Sequence, residues 1–297
     1  MASSIETGSI MRIAFVGLGV MGYPMAGHLK AAGHDVTVYN RTTAKAEAWC
    51  EKYGGNYAVT PAAAAGNAEI VFSCVGNDDD VRQVILEDNG VLQGTPDGGI
   101  IVDHTTASAI VAREVSEAAR GKNLGFLDAP LSGGQAGADN GQLTIMVGGD
   151  EATFARAEPV MEAYAKAITL IGPVGSGQLT KTVNQICAAG VLQGLSEGLH
   201  FAQRAGLDIE KVIGAISRGA AQSWQMENRW KTMVNNEFEF GFAVEWMRKD
   251  LKSALEAAAG NGASLEMTRL IDGFYAEVED LGGRRWDTSS LIARLEK

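Results

Sequence analysis

The chain has 297 residues, and at roughly 150 residues per domain it should form about two domains. Its 46% hydrophobic and 21% charged residues are close to globular averages, which excludes a fibrous or wholly disordered protein. With 25 basic and 36 acidic residues, the net charge of −11 disfavours a nucleic-acid partner. Three scattered cysteines and four histidines without ligand spacing predict neither a disulfide framework nor a metal site.

The first ten residues have no basic stretch followed by an apolar one, so they are not typical of a signal peptide. Residues 1–10 are predicted to form a disordered tail. No window contains about 18 uninterrupted apolar residues, as a membrane-spanning helix would require. We therefore expect a cytoplasmic protein with no membrane partner.

From Met11 to residue 173, strand and helix patterns alternate. Apolar or β-branched runs predict strands at 12–16, 35–39, 69–75, 100–103, 124–128, 143–147 and 167–171. Helices are predicted at 20–32, 43–53, 61–65, 108–120 and 151–164, with a further one starting at 78. This alternation is typical of a doubly wound α/β domain, in which helices cover both faces of a parallel sheet.

The pattern changes after Gly172-Pro-Val-Gly-Ser-Gly177. Residues 179–205 predict one helix of roughly 40 Å, and helices at 209–217, 223–234, 243–259 and 264–281 follow it. No strand is predicted beyond Ile171. The sequence thus predicts an α/β domain at 11–173 and an all-helical domain at 174–297, led by a long inter-domain helix.

The first strand is followed by Gly17-Leu18-Gly19-Val20-Met21-Gly22, which fits the pattern GxGxxG. Because this run opens a helix inside a strand–helix–strand unit, it predicts a Rossmann-type dinucleotide site. Gly17 would permit the tight turn, Gly19 the approach of a pyrophosphate, and Gly22 the packing of helix on strand. A glycine-rich turn without a ligand is the plain structural alternative.

The residues after the second strand usually select the cofactor, because an acidic side chain there binds the ribose 2′-hydroxyl and repels a 2′-phosphate. This chain has Asn40-Arg41-Thr42 instead. The guanidinium of Arg41 can pair with a phosphate and stack on adenine. We therefore expect NADPH to be preferred, with NADH possible; alternatively, Arg41 is solvated and these residues cap the next helix. Cys74-Val75-Gly76 ends another strand, and its backbone is expected to line the cofactor cleft.

Three further segments carry a family resemblance: Asp128-Ala-Pro-Leu-Ser132-Gly133-Gly134, Gly175-Ser-Gly-Gln-Leu-Thr-Lys181-Thr-Val-Asn184-Gln185, and Lys249-Asp250-Leu251. With the first glycine segment they resemble, in order, the four signature segments of the β-hydroxyacid dehydrogenases. That family includes 3-hydroxyisobutyrate dehydrogenases and reductases of tartronate, glyoxylate and succinic semialdehydes. The resemblance spans roughly residues 11 to 290 and implies dimers or tetramers formed through the helical halves.

Carbonyl reduction needs a hydride donor and an acid that protonates the developing alkoxide. The resemblance implies that Lys181 is this acid, and that its amine is the base in oxidation. Asn184 and Gln185 share its helix face as uncharged neighbours. The family often has Asn where this chain has Gln185, so the division of work between the two amides stays open. A lone lysine on a helix is otherwise a solvated surface charge.

The resemblance also implies two roles at strand ends. Ser132, Gly133 and Gly134 would bind the substrate carboxylate through backbone N–H groups and a hydroxyl, rather than form a plain turn. Thr105 and Thr106 would lie beside the nicotinamide ribose. A role for the two threonines in capping the next helix is compatible with that position.

Lys249 resembles the lysine that closes over bound cofactor and substrate; alternatively it is a surface lysine paired with Glu245.

Aromatic residues are concentrated after residue 220. Of these, Trp224, Phe238 and Phe240 are the candidates for substrate contact, although core packing is the safer interpretation at any single position.

The sequence therefore predicts an NADPH-preferring reductase of a small aldehyde or keto acid that carries a carboxylate. An imine reductase of the same architecture is the first alternative, but it usually has another residue where Lys181 stands. A non-catalytic NADP-binding protein is the second. A 6-phosphogluconate dehydrogenase is disfavoured because the chain is short and lacks extra basic residues for a sugar phosphate.

Overall fold

The computed structural model describes residues 10–296. The predicted tail, residues 1–10, lies outside this range except for Ile10. The chain divides into two compact units between Lys181 and Thr182, which we call the sheet unit (10–181) and the helical unit (182–296). The long helix that starts at Ser176 contributes its first residues to the sheet unit and the rest to the helical unit.

The sheet unit contains a nine-stranded sheet with the order β3-β2-β1-β4-β5-β6-β8-β7, and β9 pairs with β8. Its first six strands are parallel, whereas β8 runs antiparallel to β6 and β7. The strands are β1 (Arg12–Val16), β2 (Asp35–Tyr39), β3 (Asn56–Tyr57), β4 (Ile70–Ser73), β5 (Ile100–Asp103), β6 (Gly125–Asp128), β7 (Leu131–Ser132), β8 (Leu143–Gly148) and β9 (Ala165–Gly172).

Eight helices accompany these strands: α1 (Gly22–Ala31), α2 (Thr43–Tyr53), α3 (Pro61–Ala65), α4 (Asp78–Ile85), α5 (Val91–Gly94), α6 (Ala109–Arg120), α7 (Gly134–Asp139) and α8 (Glu151–Met161). They cover both faces of the sheet, because successive strand residues point to opposite sides. In β1, Ile13 and Phe15 join one core with α1, α2 and α8, whereas Ala14 and Val16 join the other with α3 to α6. The doubly wound α/β architecture predicted from the sequence is confirmed.

The helical unit consists of α9 (Ser176–Arg204) from Thr182 onward, α10 (Ile209–Ile216), α11 (Trp224–Val234), α12 (Val244–Asn261) and α13 (Glu266–Asp280), followed by 3₁₀ segments at Gly283–Arg285 and Thr288–Glu296. Two apolar clusters hold it together. One joins α9, α12 and α13 around Leu192, Leu251 and Tyr275, and the other gathers Leu199, Met233 and Ile292. Within the described residues, no helix is both long enough and apolar enough to span a membrane.

Four short elements of the sheet unit were not predicted, namely β3, α5, β7 and α7. None of them exceeds six residues, so none completes a hydrophobic period that a sequence pattern could reveal. The prediction of a wholly parallel sheet was wrong at its far edge. There, β8 runs antiparallel to β6 and to the two-residue strand β7, which pairs with β8 directly beyond the end of β6.

Candidate active site

The carboxyl ends of four parallel strands form one row in the sheet unit. Val16 of β1 is in register with Ser73 of β4, Ser73 with Asp103 of β5, and Asp103 with Asp128 of β6. The predicted site residues of the sheet unit, except Asn40–Thr42 and Lys181, follow one of these strands or lie at the end of β7. Open α/β sheets bind ligands at this edge.

The glycine loop after β1 is shaped by close contacts on two sides. A Cβ on Gly17, whose φ is +98°, would lie 2.3 Å from the carbonyl oxygen of Cys74. A Cβ on Gly22 would lie 2.0 Å from the carbonyl oxygen of Gly17. By contrast, a Cβ on Gly19 would meet no heavy atom within 4 Å. Two glycines therefore fit backbone to backbone, and the third faces open space.

This open space can take a dinucleotide phosphate. Gly19 and Val20 line a groove of about 480 Å³, to which α2 contributes Lys45. Among the described residues, no side chain caps the N-terminus of α1, so no side chain competes with an anion for the positive end of this helix. The loop thus has the positive helix end and, at Gly19, the backbone access that a pyrophosphate requires.

Asn40 holds the glycine loop from the end of β2. Its Oδ1 accepts the N–H of Leu18 at 3.0 Å, and its Nδ2 donates to the carbonyl of Thr42 at 3.1 Å. Thr42 occupies the N-cap position of α2 but makes no capping bond with its side chain. The exposed guanidinium of Arg41 lies 3.4 Å from the Asp80 carboxylate at the start of α4.

A buried polar cluster joins the ends of β4 and β5. Oδ1 of Asp103 accepts the hydroxyls of Ser73 (2.8 Å) and Thr105 (2.7 Å), and the N–H of Thr105 at 3.1 Å. The Thr105 hydroxyl in turn accepts the N–H of Val75 at 3.0 Å. Burial raises the pKa of Asp103 to about 6, although these hydrogen bonds favour its ionised form. The alternative that Thr105 or Thr106 caps α6 was wrong, because Ser108 caps it.

His104 is buried behind this row, with its ring stacked on Phe72. Its Nδ1 lies 2.6 Å from the carbonyl oxygen of Ala129, which can only accept, so Nδ1 carries the proton. Nε2 then accepts the hydroxyl of Tyr164 at 2.8 Å. Burial lowers the pKa of His104 to about 4, which keeps the ring neutral.

Asp128 connects the end of β6 to the start of α9. Its fully buried carboxylate accepts the N–H groups of Gly175 (2.7 Å, Oδ1) and Gln178 (2.9 Å, Oδ2). Burial raises the pKa of Asp128, whereas these backbone hydrogen bonds act in the opposite direction. The sequence pointed to this segment as a motif, but it assigned no role to Asp128 or Gln178.

Gln178 also binds the loop after β5 with its side chain. Its Nε2 donates to the carbonyl of Thr105 at 2.7 Å, and its Oε1 accepts the N–H of Ala107 at 3.0 Å. Lys181 follows one helical turn later on the same face and is only 8% exposed. The predicted acid and the predicted threonine loop are therefore neighbours in the sheet unit.

The predicted carboxylate-binding segment forms a sharp turn from a strand into a helix. Ser132 ends β7, and Gly133 and Gly134, with φ angles of +131° and +60°, lead into α7. Left-handed backbone at both positions turns the chain sharply from strand to helix. The first N–H groups of α7 and the Ser132 hydroxyl thus occur together beside β8.

In the helical unit, Gln185 and Lys249 meet at one buried carboxylate. Gln185 donates to Oδ2 of Asp250 at 2.7 Å, and the Lys249 ammonium lies 3.3 Å from its Oδ1. Asn184 donates to Oε1 of Gln185 at 2.8 Å. The alternative pairing of Lys249 with Glu245 was wrong, because Glu245 binds Arg284 and Arg285 instead. The motif pointed to Lys249, but the partner of Gln185, Asp250, was missed.

The aromatic candidates surround an unforeseen cation. The Arg229 guanidinium lies 4.9 Å from the ring centre of Trp224 and 5.0 Å from that of Phe240. It also lies 3.7 Å from the buried carboxylate of Asp287. Trp224 is 54% exposed, whereas Phe238 belongs to the core. In the sequence, these positions shared only their aromatic character, so nothing pointed to Arg229 as a neighbour of the aromatic rings.

No group of three or more His, Cys, Asp or Glu side chains in residues 10–296 is arranged to hold a metal ion.

Comparison with known protein families matches both parts of the chain. Residues 12–172 match the NAD binding domain of 6-phosphogluconate dehydrogenase. Residues 175–295 match a family described as NAD-binding of NADP-dependent 3-hydroxyisobutyrate dehydrogenase. Together these two matches cover nearly all of the described chain.

Individual proteins resemble the chain over almost its whole length. An uncharacterized oxidoreductase of Shewanella frigidimarina is 63% identical over 96% of this chain and 98% of its own. The 2-hydroxy-3-oxopropionate reductase of Escherichia coli is 35% identical, covering 96% and 97%. Among solved structures, 3-hydroxyisobutyrate dehydrogenase of Mycobacterium tuberculosis with L-serine superposes with a TM-score of 0.87 at 30% identity, covering 97% of this chain and 100% of that one.

Proposed function

Because the chain belongs to the β-hydroxyacid dehydrogenase family of NAD(P)-dependent oxidoreductases that act on CH–OH groups, we propose that it reduces a small aldehyde bearing a carboxylate, with Lys181 as the general acid. The reverse reaction is the oxidation of the corresponding 3-hydroxy acid, with the Lys181 amine as the base. Glyoxylate, succinic semialdehyde and 2-hydroxy-3-oxopropionate (tartronate semialdehyde) are the aldehydes to test first, and 3-hydroxyisobutyrate and L-serine the alcohols.

The observation that carries this proposal is the position of Lys181. It lies one turn after Gln178, whose side chain binds the loop after β5 at Thr105 and Ala107. Lys181 thus belongs to a helix turn that is attached to the loop after β5, and the residue is only 8% exposed. A surface lysine would have neither feature.

Different residues of the chain have different proposed roles in the reaction. The bound nicotinamide cofactor supplies the hydride that the carbonyl carbon receives. Lys181 donates a proton to the developing alkoxide oxygen, while Ser132 and the N–H groups of Gly133 and Gly134 bind the carboxylate. Asn184 and Gln185 orient the ammonium from the same helix face, and Gln185 is itself held by Asp250.

We propose NADPH as the preferred cofactor. Arg41 follows β2 without an acidic residue beside it in the sequence, and its exposed guanidinium can pair with a 2′-phosphate. Asn40 is committed to the glycine loop and does not repel that phosphate. Lys249, Trp224 and Phe240 remain predictions as substrate or cofactor contacts.

Initial-rate kinetics with NADPH and NADH across those compounds test the proposal. We expect kcat/KM to be highest for one of the carboxylate-bearing aldehydes and to favour NADPH. Decarboxylated or esterified analogues should react far more slowly, because they cannot bind the Ser132 segment. A higher rate with a cyclic imine than with any carbonyl compound would contradict the proposal in favour of an imine reductase.

Substitution of the acid tests its role directly. Lys181→Ala should lower kcat by more than about tenfold, which is roughly 1.4 kcal/mol of transition-state stabilisation. Binding of NADPH, followed by its fluorescence, should persist. Lys211→Ala removes an exposed lysine from α10 and is the matched control. Turnover of Lys181→Ala within tenfold of the wild type would refute the assignment.

Association into dimers or tetramers and a cytoplasmic location remain predictions. The helical unit supports association, since Val183 and Phe201 on α9 and Leu270 on α13 are large apolar side chains that are more than half exposed. Light scattering coupled to size exclusion would measure the mass in solution, and a monomer would contradict the first prediction.

A further inference from the structure

We infer that Asp128 and Gln178 are positioning residues that fix the first turns of α9, and with them Lys181, against the loop after β5. This inference rests on the proposed role of Lys181 and extends it to two buried side chains that carry none of the chemistry. They act through the backbone of the segment they hold.

The first step is the attachment of the helix start. Asp128 accepts the N–H groups of both Gly175 and Gln178, which are 47 and 50 residues away along the chain. These N–H groups belong to the turn where a helix leaves its donors without internal partners, and a carboxylate there also interacts favourably with the helix dipole. One side chain at the end of β6 thus anchors the start of α9.

The second step is the space that admits this carboxylate. A Cβ on Gly148 would lie 2.4 Å from Oδ1 of Asp128, and a Cβ on Gly177 would lie 2.9 Å from its Oδ2. The Gly177 Cβ would also lie 2.4 Å and 2.5 Å from the carbonyl oxygens of Asp128 and Met146. Two glycines, one on β8 and one on α9, therefore allow the helix to approach the strand end at backbone contact distance.

The side chain of Gln178 bridges the start of α9 to the loop after β5. The Gln178 amide is used in both directions, since Nε2 donates to Thr105 and Oε1 accepts from Ala107. Thr105 is in turn fixed by Asp103 and by the N–H of Val75. The ends of β4, β5 and β6 and the start of α9 consequently form one hydrogen-bonded unit.

These contacts determine the position of the Lys181 backbone. Lys181 is three residues beyond Gln178 on a continuous helix, so its Cα is set by the same attachment. Proton transfer requires its Nζ within hydrogen-bond distance of the reacting oxygen, and a displacement of about 1 Å can cost 10²-fold in rate. Loss of the bridge should therefore lower kcat while leaving ligand binding largely intact.

Two glutamines on α9 give a matched pair for the test. Gln178→Met removes both bridging hydrogen bonds at nearly constant volume. Gln193→Met makes the same change at a buried glutamine of the helical unit, whose amide contacts Glu197 on its own helix. Both variants are made in the full chain and compared for kcat, KM, NADPH affinity and thermal midpoint.

We expect Gln178→Met to lower kcat by about 30-fold, with KM and the NADPH dissociation constant within about threefold of the wild type. Gln193→Met should retain kcat within about twofold. A purely structural role would lower the thermal midpoint of both variants and leave kcat of the folded protein unchanged. That result, or equal kcat in the two variants, would overturn the inference.

Gln178→Glu adds a pH signature. A protonated glutamic acid can still donate to Thr105 and accept from Ala107, whereas the ionised form places a negative charge against the Thr105 carbonyl. The ratio of kcat in Gln178→Glu to that of the wild type should therefore rise as the pH falls. Gln178→Met should give a low ratio at every pH. A flat ratio near one for Gln178→Glu would contradict the bridge.

Amide hydrogen exchange separates this inference from the proposed function. If the wild type reduces none of the compounds, the proposed function fails, and exchange alone decides the attachment. Gln178→Met should accelerate exchange by about tenfold or more in peptides covering 105–107 and 178–181, and Gln193→Met should not. Unchanged exchange in those peptides would refute the attachment whether or not the enzyme is active.

Discussion

The two units differ in whether a cation accompanies their buried carboxylates. In the sheet unit, Asp103 and Asp128 accept hydrogen bonds from hydroxyls and backbone N–H groups at the strand ends. In the helical unit, the buried carboxylates of Asp250 and Asp287 contact a lysine or arginine side chain in addition to neutral donors. Hydroxyl and backbone N–H donors fix the orientation of a carboxylate without adding a charged, flexible side chain. This suits the row of strand ends at which the reaction is proposed to occur. Cation pairs tie helices together over longer and more flexible side chains.

Their glycines differ in the same sense. Gly17, Gly22 and Gly177 in the sheet unit each lie where a Cβ would overlap backbone atoms. In the helical unit, Gly214 and Gly273 are exposed helix positions where a Cβ would meet nothing within 4 Å. Geometry at the strand edge is thus determined by backbone contact, whereas these two helix positions tolerate additional volume. The following substitutions test this contrast.

The largest effect is expected where α9 touches the strand ends. Gly177→Ala should destabilise the protein by about 3 kcal/mol, because the new methyl overlaps two carbonyl oxygens that cannot move independently. Chemical denaturation measures the free energy of unfolding. Gly172→Ala, whose Cβ would meet only the flexible Ser176 hydroxyl at 3.1 Å, is the control. Equal stability of the two variants would show that α9 is free to shift away from the sheet.

A second test uses two buried neighbours of the sheet unit with opposite pH responses. The lowered pKa of His104, about 4 against 6.5, gives stability that is present above pH 6.5 and lost as the pH falls toward 4. The raised pKa of Asp103, about 6 against 3.8, imposes a penalty above pH 6 that is relieved over nearly the same range. In the wild type, the two effects should largely cancel.

In Asp103→Asn, the pH dependence of the free energy of unfolding should be that of His104 alone. Its free energy of unfolding should fall by about 3 kcal/mol more than that of the wild type between pH 7 and pH 4, because only the His104 loss remains. Urea denaturation at a series of pH values measures this difference. Asp88→Asn, at an exposed carboxylate, is the control and should follow the wild type. Parallel pH curves for Asp103→Asn and the wild type would contradict the compensation.

The alternation of strands and helices could be predicted from the sequence because apolar periods are local. The glycine loop could also be predicted, since three glycines at fixed spacing follow a strand. The bond from Asp128 to Gly175 could not, because it joins positions 47 residues apart, one of them through its backbone. Likewise, the antiparallel pairing of β7 with β8 could not be predicted, because the two residues of β7 have no period of their own.

A smaller effect is expected at the exposed ion pair of the sheet unit. Arg41→Gln should lower kcat/KM for NADPH by about tenfold and leave that for NADH nearly unchanged, because the guanidinium is the proposed 2′-phosphate ligand. Its loss should change stability by less than about 0.5 kcal/mol, since the pair with Asp80 is exposed. Arg12→Gln breaks another exposed pair in this unit and should affect neither cofactor. Equal losses for both cofactors would contradict NADP selection by Arg41.

The smallest effect is a gain in the helical unit. Gly273→Ala should stabilise the protein by about 0.5–1 kcal/mol, because alanine loses less backbone entropy in the interior of a helix and its methyl meets open space. Thermal and chemical denaturation at two protein concentrations measure the gain. Were the variant less stable at the higher concentration only, this face of α13 would pack against another copy of the chain. The added methyl group would then be accommodated only in the isolated chain. In the associated form, this face of α13 would exclude an added atom, as the strand edge of the sheet unit does.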